Sequence, residues 1–113
     1  MPNKYRAKRT WSNLCQRWFA SKMEAQRGEE LAMLENAGKI FDLGFQVTFV
    51  LCEKPKVTIT IDFDYLEYHG EDLYPLLVYE DTKGVLTRDF RTKLAWLKEK
   101  YGIEVKLTGS TRG

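Results

Sequence analysis

Asp62, Asp81 and Lys83 are the residues of this chain whose types and spacing point to chemistry. Asp62 lies in the run Thr58–Tyr65 (TITIDFDY), and Asp81-Thr82-Lys83 closes a second run that begins at Leu76-Leu77-Val78-Tyr79. Both runs read as strands, where side chains two apart share a face and stand roughly 6–7 Å from one another. Asp81 and Lys83 then project together, with Glu80 and Thr82 on the reverse side, and Asp62 and Asp64 share a face in the same way. If the strands pair with those faces together, three carboxylates and one ammonium converge. Two carboxylates about 4 Å apart repel by roughly 4 kcal/mol at an effective dielectric near 20, so the cluster needs a cation or a shared proton. Mg²⁺ suits such a site, because it takes oxygen ligands, keeps several waters and is completed by phosphate oxygens. A neighbouring lysine can place or deprotonate the attacking water. The chemistry so described is phosphodiester hydrolysis. The same residues also fit a solvated edge hairpin, in which Asp64, Glu80 and Asp81 face water and Lys83 guards against aggregation.

Stepping outward, the elements that would hold these side chains follow the order α-β-β-β-α-β. A helix is expected from Ser21 to about Ala37, ended by Gly38 in a left-handed cap. Strands are expected near 45–52, 57–67 and 76–83, with Pro55 in the turn between the first two and Gly84 after the third. Phe90, Leu94, Leu97 and Tyr101 recur at spacings of four, three and four, which marks an amphipathic helix. A last strand is expected at about 103–107. Trp96 and Phe63 are expected in the core. Cys15 and Cys52 stand far apart in no CxxC pattern, which argues against a zinc site or a disulfide scaffold and for small buried hydrophobes. The single histidine, His69, sits in a turn-like segment and cannot build a histidine-dependent nuclease centre.

Several further residues admit two readings. Ser21-Lys22-Met23-Glu24 is a complete S-x-x-E capping box, so Glu24 either caps the helix or joins the site. Gln46 lies opposite Phe45, Val47 and Phe49 on its strand and is either a site residue or an exposed amide. Lys93 falls on the apolar side of its helix, where its head either reaches an anion or snorkels past the core edge. Arg88 and Arg91 beside it are candidates for phosphate contact.

The chain has 113 residues and a net charge of +2, enough for one domain with one core. Its charge is unevenly spread: no acidic residue precedes Glu24, while Lys4, Arg6, Lys8, Arg9, Arg17 and Lys22 fall in that segment. Tyr5, Trp11 and Trp18 interleave with them, a composition suited to phosphate contact and aromatic stacking, or to a solubilising tail. The amino end lacks the apolar stretch of a signal peptide, and no segment is apolar for 18 residues, so a cytoplasmic protein without a membrane span is expected.

Taken in order, these segments resemble the PD-(D/E)xK nuclease superfamily, and within it a small phage-encoded family similar to Holliday-junction resolvases. The resemblance rests on Phe19-Ala20-Ser21-Lys22-Met23-Glu24-Ala25, Ala37-Gly38-Lys39-Ile40, Leu43-Gly44-Phe45-Gln46, Ile61-Asp62-Phe63 and Glu80-Asp81-Thr82-Lys83-Gly84. It continues through Thr87, Phe90-Arg91, Lys93 and Tyr101-Gly102-Ile103-Glu104. Asp81 stands where many relatives carry Glu, and Ile61 precedes Asp62 in place of the proline of the superfamily's name. The resemblance implies an α/β restriction-endonuclease-like core, a central mixed sheet flanked by helices, over residues 19–107, with a basic arm at 1–18 and a tail at 108–113. It implies Mg²⁺, replaceable by Mn²⁺, on Asp62, Asp81 and the Thr82 carbonyl, with Lys83 at the water and Glu24 assisting metal or water. Gln46, Asp64 and Lys93 are possible additions. The implied substrate is DNA, branched by first choice, cut by a homodimer in a bacterial host cell. An exonuclease, a nickase, a restriction-like enzyme and a silent nucleic-acid-binding module are the alternatives.

Overall fold

The computed structural model describes residues 8–109. Strands β1 (Thr10–Ser12) and β2 (Arg17–Phe19) form a short antiparallel hairpin. Helix α1 (Lys22–Asn36) follows, then strands β3 (Ile40–Cys52), β4 (Val57–Glu67) and β5 (Leu76–Thr82), helix α2 (Arg88–Tyr101) and strand β6 (Val105–Thr108). The main sheet has the order β3-β4-β5-β6, antiparallel except for the β5–β6 pair, which the α2 crossover makes parallel. This is a mixed α/β sheet flanked by helices, compatible with a restriction-endonuclease-like core.

The helix ends follow from local chemistry. Ser21 caps α1, its hydroxyl accepting from the Glu24 amide at 3.1 Å. At the other end Gly38 adopts φ +74°, and the Lys39 and Gly38 amides bond to the Leu34 and Glu35 carbonyls at 2.9 and 3.0 Å. That is a Schellman closure, with glycine where the left-handed conformation is needed. Thr87 caps α2 in the same manner as Ser21, and Gly102 (φ +69°) ends it.

The two helices lie on opposite faces of the sheet: Tyr79 packs in the cluster around Leu97 of α2, while the adjacent Glu80 bonds Arg27 of α1. On the α1 side Phe19, Ala25, Leu31, Ile40, Phe63 and Tyr65 make the core, and on the α2 side Leu51, Ile59, Ile61 and Leu97. Ile59, Ile61, Phe63 and Tyr65 are two residues apart along β4 yet divide between the clusters. Phe45 and Phe49 of β3 divide likewise. Both strands therefore change the face they present near Gln46, which holds φ +57°, and Asp62, between the register pairs Phe45↔Phe63 and Val47↔Ile61.

Several expectations need correction. Strand β3 begins at Ile40, five residues before the expected start, because left-handed Asp42 and a register shift between Phe41 and Gly44 break its alternation without ending its pairing. Strand β5 stops at Thr82, and β6 runs two residues later than expected at its start. The β1–β2 hairpin was not expected, and the 18–19 boundary proposed for a basic arm falls inside β2. Thr108, assigned to a tail, belongs to β6. Phe63 is fully buried, but Trp96 is 37 % exposed. Trp96 lies two residues from Leu94, about 200° around a helix, and so points away from the Phe90/Leu94/Leu97 stripe. Cys15 and Cys52 are unpaired and half-buried.

Gly28 lies in the middle of α1 because Phe19 of the hairpin packs against it: a Cβ there would stand 2.7 Å from Phe19 Cζ and 3.3 Å from Phe63 Cε1. Alanine would gain up to about 1 kcal/mol in helix propensity. The overpacking costs about 1–3 kcal/mol. Gly28→Ala is therefore expected to lower the denaturant midpoint with the m-value unchanged, and a raised midpoint would show that the hairpin yields.

Candidate functional site

The β4–β5 ladder ends at the pair Phe63↔Glu80. One step further, carboxylates replace the backbone partners. The Asp62 amide donates to Asp81 Oδ1 and the Thr82 amide donates to Asp62 Oδ2, both at 2.9 Å. The strands fork there, each held by the other's aspartate. Asp62 and Asp81 are buried, and Asp81 Oδ2 accepts no hydrogen bond. Its nearest charge is the Lys83 ammonium, 3.2 Å away, which also lies 4.4 Å from the Phe90 ring centre. The D…DxK set thus converges as its strand spacing required, and the solvated-hairpin alternative fails. Strand β5 is interior to the sheet, and Glu80 and Asp81 are both 0 % exposed.

The third carboxylate is Glu24 and not Asp64. Ser21 caps the helix, but the Glu24 carboxylate does not return the bond; its Oε2 accepts from Gln46 Nε2 at 3.2 Å. The left-handed turn of β3 at Gln46 thereby joins the site from the opposite side. Asp64 pairs in register with Tyr79 and Gly44, one strand repeat from Asp62, and packs against Gly44, where any Cβ would collide with its carboxylate. It takes no part in the convergence.

Beside the fork opens a cleft of about 700 Å³, lined by Ser21, Glu24, Thr60, Lys83, Phe90 and Lys93 among others. Asp62 and Asp81 lie outside this lining and connect to it through Thr82 and Lys83. Lys93 reaches the cleft wall, 3.6 Å from Asp89. Arg88, Arg91 and Lys22 are exposed and do not line the cleft. Lys8 and Arg9 are exposed, with the Arg9 guanidinium 5.3 Å over the Trp18 ring. Arg17 is no free surface cation: its guanidinium lies 4.4 Å over Phe45 and its Nε is buried without a partner. Lys4 and Arg6 fall outside the described residues.

The electrostatics match the crowding. Burial, then the Asp62 and Asp81 charges, raises Glu24 to about 7, against the pull of Lys83 and Arg17. Burial, then Asp62, raises Asp81 to about 6, and burial raises Asp62 despite the Thr82 amide and Lys83. Glu80, on the other face, behaves oppositely. Burial works to raise it, but Arg27, Tyr65 and Thr108 bond it at 2.6, 2.7 and 3.1 Å and hold it below the ordinary glutamate value. This network was not foreseen. Strand alternation placed Glu80 on the far face, but no sequence signal ties it to Arg27 across 53 positions.

The unbonded Asp81 oxygen and the raised carboxylates fit a hard cation. Among the described residues no three Asp, Glu, His or Cys side chains are gathered closely enough to enclose a metal. The carboxylates that could serve as donors are the Asp62–Asp81 pair, with Glu24 near enough for its titration to respond to both.

A carboxylate whose folded pKa lies above its unfolded value binds a proton more tightly when folded, so stability is retained below the unfolded pKa and lost as pH rises through the folded one. For Glu24 that window runs from 4.5 to about 7. In EDTA the wild type is expected to lose about 2–3 kcal/mol across it relative to Glu24→Gln, at about 1.36 kcal/mol per pKa unit. Denaturant unfolding of both proteins at pH 4.5, 6 and 7.5 measures the difference, and parallel curves would show that Glu24 titrates normally.

Among the described residues no helix is long and apolar enough to cross a membrane. No curated protein and no solved structure matches the chain. A family model does match, over residues 2–113, and the chain belongs to the family it defines, described as Protein of unknown function (DUF1064).

Proposed function

We propose that this protein is a metal-dependent nuclease of the PD-(D/E)xK type that hydrolyses DNA phosphodiester bonds, with branched DNA as its first substrate and two copies cutting paired strands. The observation that carries the reading is the β4–β5 fork. Two buried aspartates bond each other's strand, one of their oxygens is left without a hydrogen bond, and a lysine two residues on stands 3.2 Å from it. The order of elements, α-β-β-β-α-β after the hairpin, supports the same reading.

Asp62, Asp81 and the Thr82 carbonyl would hold Mg²⁺ or Mn²⁺, with Glu24 assisting through water. When bound, the ion supplies Lewis-acid stabilisation of the charge that develops on phosphate and lowers the pKa of water. The remaining work falls to the chain. Lys83 competes for the same Asp81 oxygen, so its ammonium is placed to turn toward an attacking water or a phosphate oxygen at the cleft. The Phe90 ring, its centre 4.4 Å from Lys83 Nζ, bounds it on the cleft side. Glu24 is raised by burial and by the Asp62 and Asp81 charges, and a cation on those aspartates would draw it to its ionised form, able to hold a water by hydrogen bonding. Gln46 fixes the Glu24 carboxylate, and Lys93 offers a cation on the cleft wall. The buried Glu80 network keeps β5 in place beneath them.

The test is a labelled four-way junction and a matching linear duplex incubated in Mg²⁺ and in EDTA. Paired symmetric cuts in the junction, abolished by EDTA, are expected. Asp81→Asn and Lys83→Ala should reduce cleavage at least a hundredfold while junction binding persists. Variants that cut normally would show the site to be misassigned. Cutting of both substrates would favour an exonuclease, nickase or restriction-like activity, and metal-independent, salt-sensitive binding without cutting would favour a silent binding module.

The two-copy arrangement has its own support. At the far end of the sheet from the fork, Leu73 and Tyr74 are 79 and 74 % exposed, Leu76 and Leu77 about half, and Phe41 and Tyr68 pack edge to face beside them. A C₂ contact over such a patch is self-complementary. Leu73→Asp/Leu77→Asp is expected to convert a sedimenting dimer into a monomer that nicks without paired cutting, and an unchanged sedimentation coefficient would exclude this surface.

A further inference from the structure

The β1–β2 hairpin has two dissimilar faces. Its inner face is fixed: Ser12 is buried and donates to Glu29 Oε2 at 2.6 Å, Phe19 sits in the α1 core, and Arg17 lies over Phe45. Its outer face carries Trp11 and Trp18, direct register partners whose rings meet edge to face at 5.6 Å. They remain 42 and 52 % exposed, and the Arg9 guanidinium rides over Trp18. As a cross-strand pair the two indoles add about 0.2–1 kcal/mol to the hairpin, and Trp11 Nε1 donates to Asn13 Oδ1 at 2.9 Å, yet about half of each indole still faces water on a hairpin whose inner face already anchors it to α1.

We infer that the outer face of this hairpin is a stacking platform for unpaired nucleobases, fed by the strand whose phosphodiester reaches the cleft. The inference rests on the nuclease reading for its substrate class, but on different residues. Indole faces accept any base, and base–aromatic stacking is sequence-tolerant. The charge is of the right sign: Lys8, Arg9 and Lys22 are exposed, and no acidic residue precedes Glu24. The placement is right as well. The chain passes from Trp18 through Phe19 to Ala20 and Ser21, which line the cleft. Three residues of extended chain span roughly 10 Å. Duplex ends keep their bases stacked on each other, whereas a branch point or single strand exposes a base for the platform.

The experiment uses the full chain with Trp96→Phe, which leaves Trp11 and Trp18 as the only indoles, titrated in EDTA with oligo(dT) and with a blunt duplex of equal length. Saturable quenching by oligo(dT) is expected, and Trp11→Ala/Trp18→Ala should weaken oligo(dT) binding tenfold or more by anisotropy, with duplex affinity changed less than threefold. Trp11→Phe/Trp18→Phe should restore most of the loss, which separates stacking from hairpin integrity. Unquenched emission together with unchanged oligo(dT) affinity in the double-alanine variant would overturn the inference. So would a double-alanine variant that loses self-association instead, which would assign the face to a second copy. Because no metal is present, the outcome is independent of cleavage: a protein that quenches but never cuts in Mg²⁺ keeps the platform and loses the nuclease, and one that cuts but does not quench does the reverse.

Discussion

Burying two neighbouring carboxylates on one strand is the constraint around which this molecule is arranged. Glu80 and Asp81 are each inaccessible to water, and an ionised carboxylate in that position is costly unless it is paired and hydrogen-bonded. Strand alternation sends them to opposite faces, and the two faces answer differently. On the α1 side Glu80 receives Arg27, the Tyr65 hydroxyl and Thr108, drawn from a helix and two strands. Removing any one of these would strand the rest, so the network ties α1, β4, β5 and β6 together. On the α2 side Asp81 receives one backbone amide and a lysine, and one oxygen goes without a hydrogen bond. The compensated carboxylate holds the fold, and the undercompensated one beside it marks the site.

The fork of β4 and β5 makes that contrast possible. An antiparallel ladder normally satisfies every second amide with a facing carbonyl. Here the Asp62 and Thr82 amides turn to carboxylates, so the strands separate without leaving buried donors unpaired. Separation opens the cleft, along which the β5–α2 loop places Lys83 and the first turns of α2 place Phe90 and Lys93. The change of face near Gln46 serves the same end, because it lets one strand pair pack first on α1 and then on α2, with Glu24 and Asp62 at the crossover. The site therefore occupies the point where the two cores meet.

Much of this was legible in the residues, and the misses share a cause. The D…DxK convergence follows from the two-residue period of strands, and the α2 stripe from its 3.6-residue period, since both depend only on neighbours within one element. The Gly38 closure of α1 was readable for the same reason. Asp64 was placed with Asp62 because the period says they share a face, yet the register sets it opposite Tyr79 and against Gly44, one repeat away from Asp81. The hydrophobicity of Trp96 points to the core, but its angle on the helix turns it to solvent. The β1–β2 hairpin has strands of three residues each, too short for alternation to register, and its anchoring by Ser12, Arg17 and Phe19 depends on α1 and β3. Contacts set by register or by packing between distant segments leave no local trace.

Charge balance connects the site to the chemistry proposed for it. Glu24, Asp62 and Asp81, fully ionised, would confront one ammonium at hydrogen-bonding range, with Arg17 acting on Glu24 from the side. The protein alone meets this deficit by keeping protons, which is the meaning of carboxyls raised to about 6 and 7. A divalent cation would meet it without protons, lowering the three carboxyls so that they stay ionised and leaving the cleft close to neutral before an anionic phosphodiester arrives. Lysine or arginine in place of the ion would balance the charge too, but would close the site, since a fixed side chain offers no exchangeable position to water and substrate. An undercompensated carboxylate, a lysine beside it and an open cleft are what a site needs if its final positive charge is to come from solution.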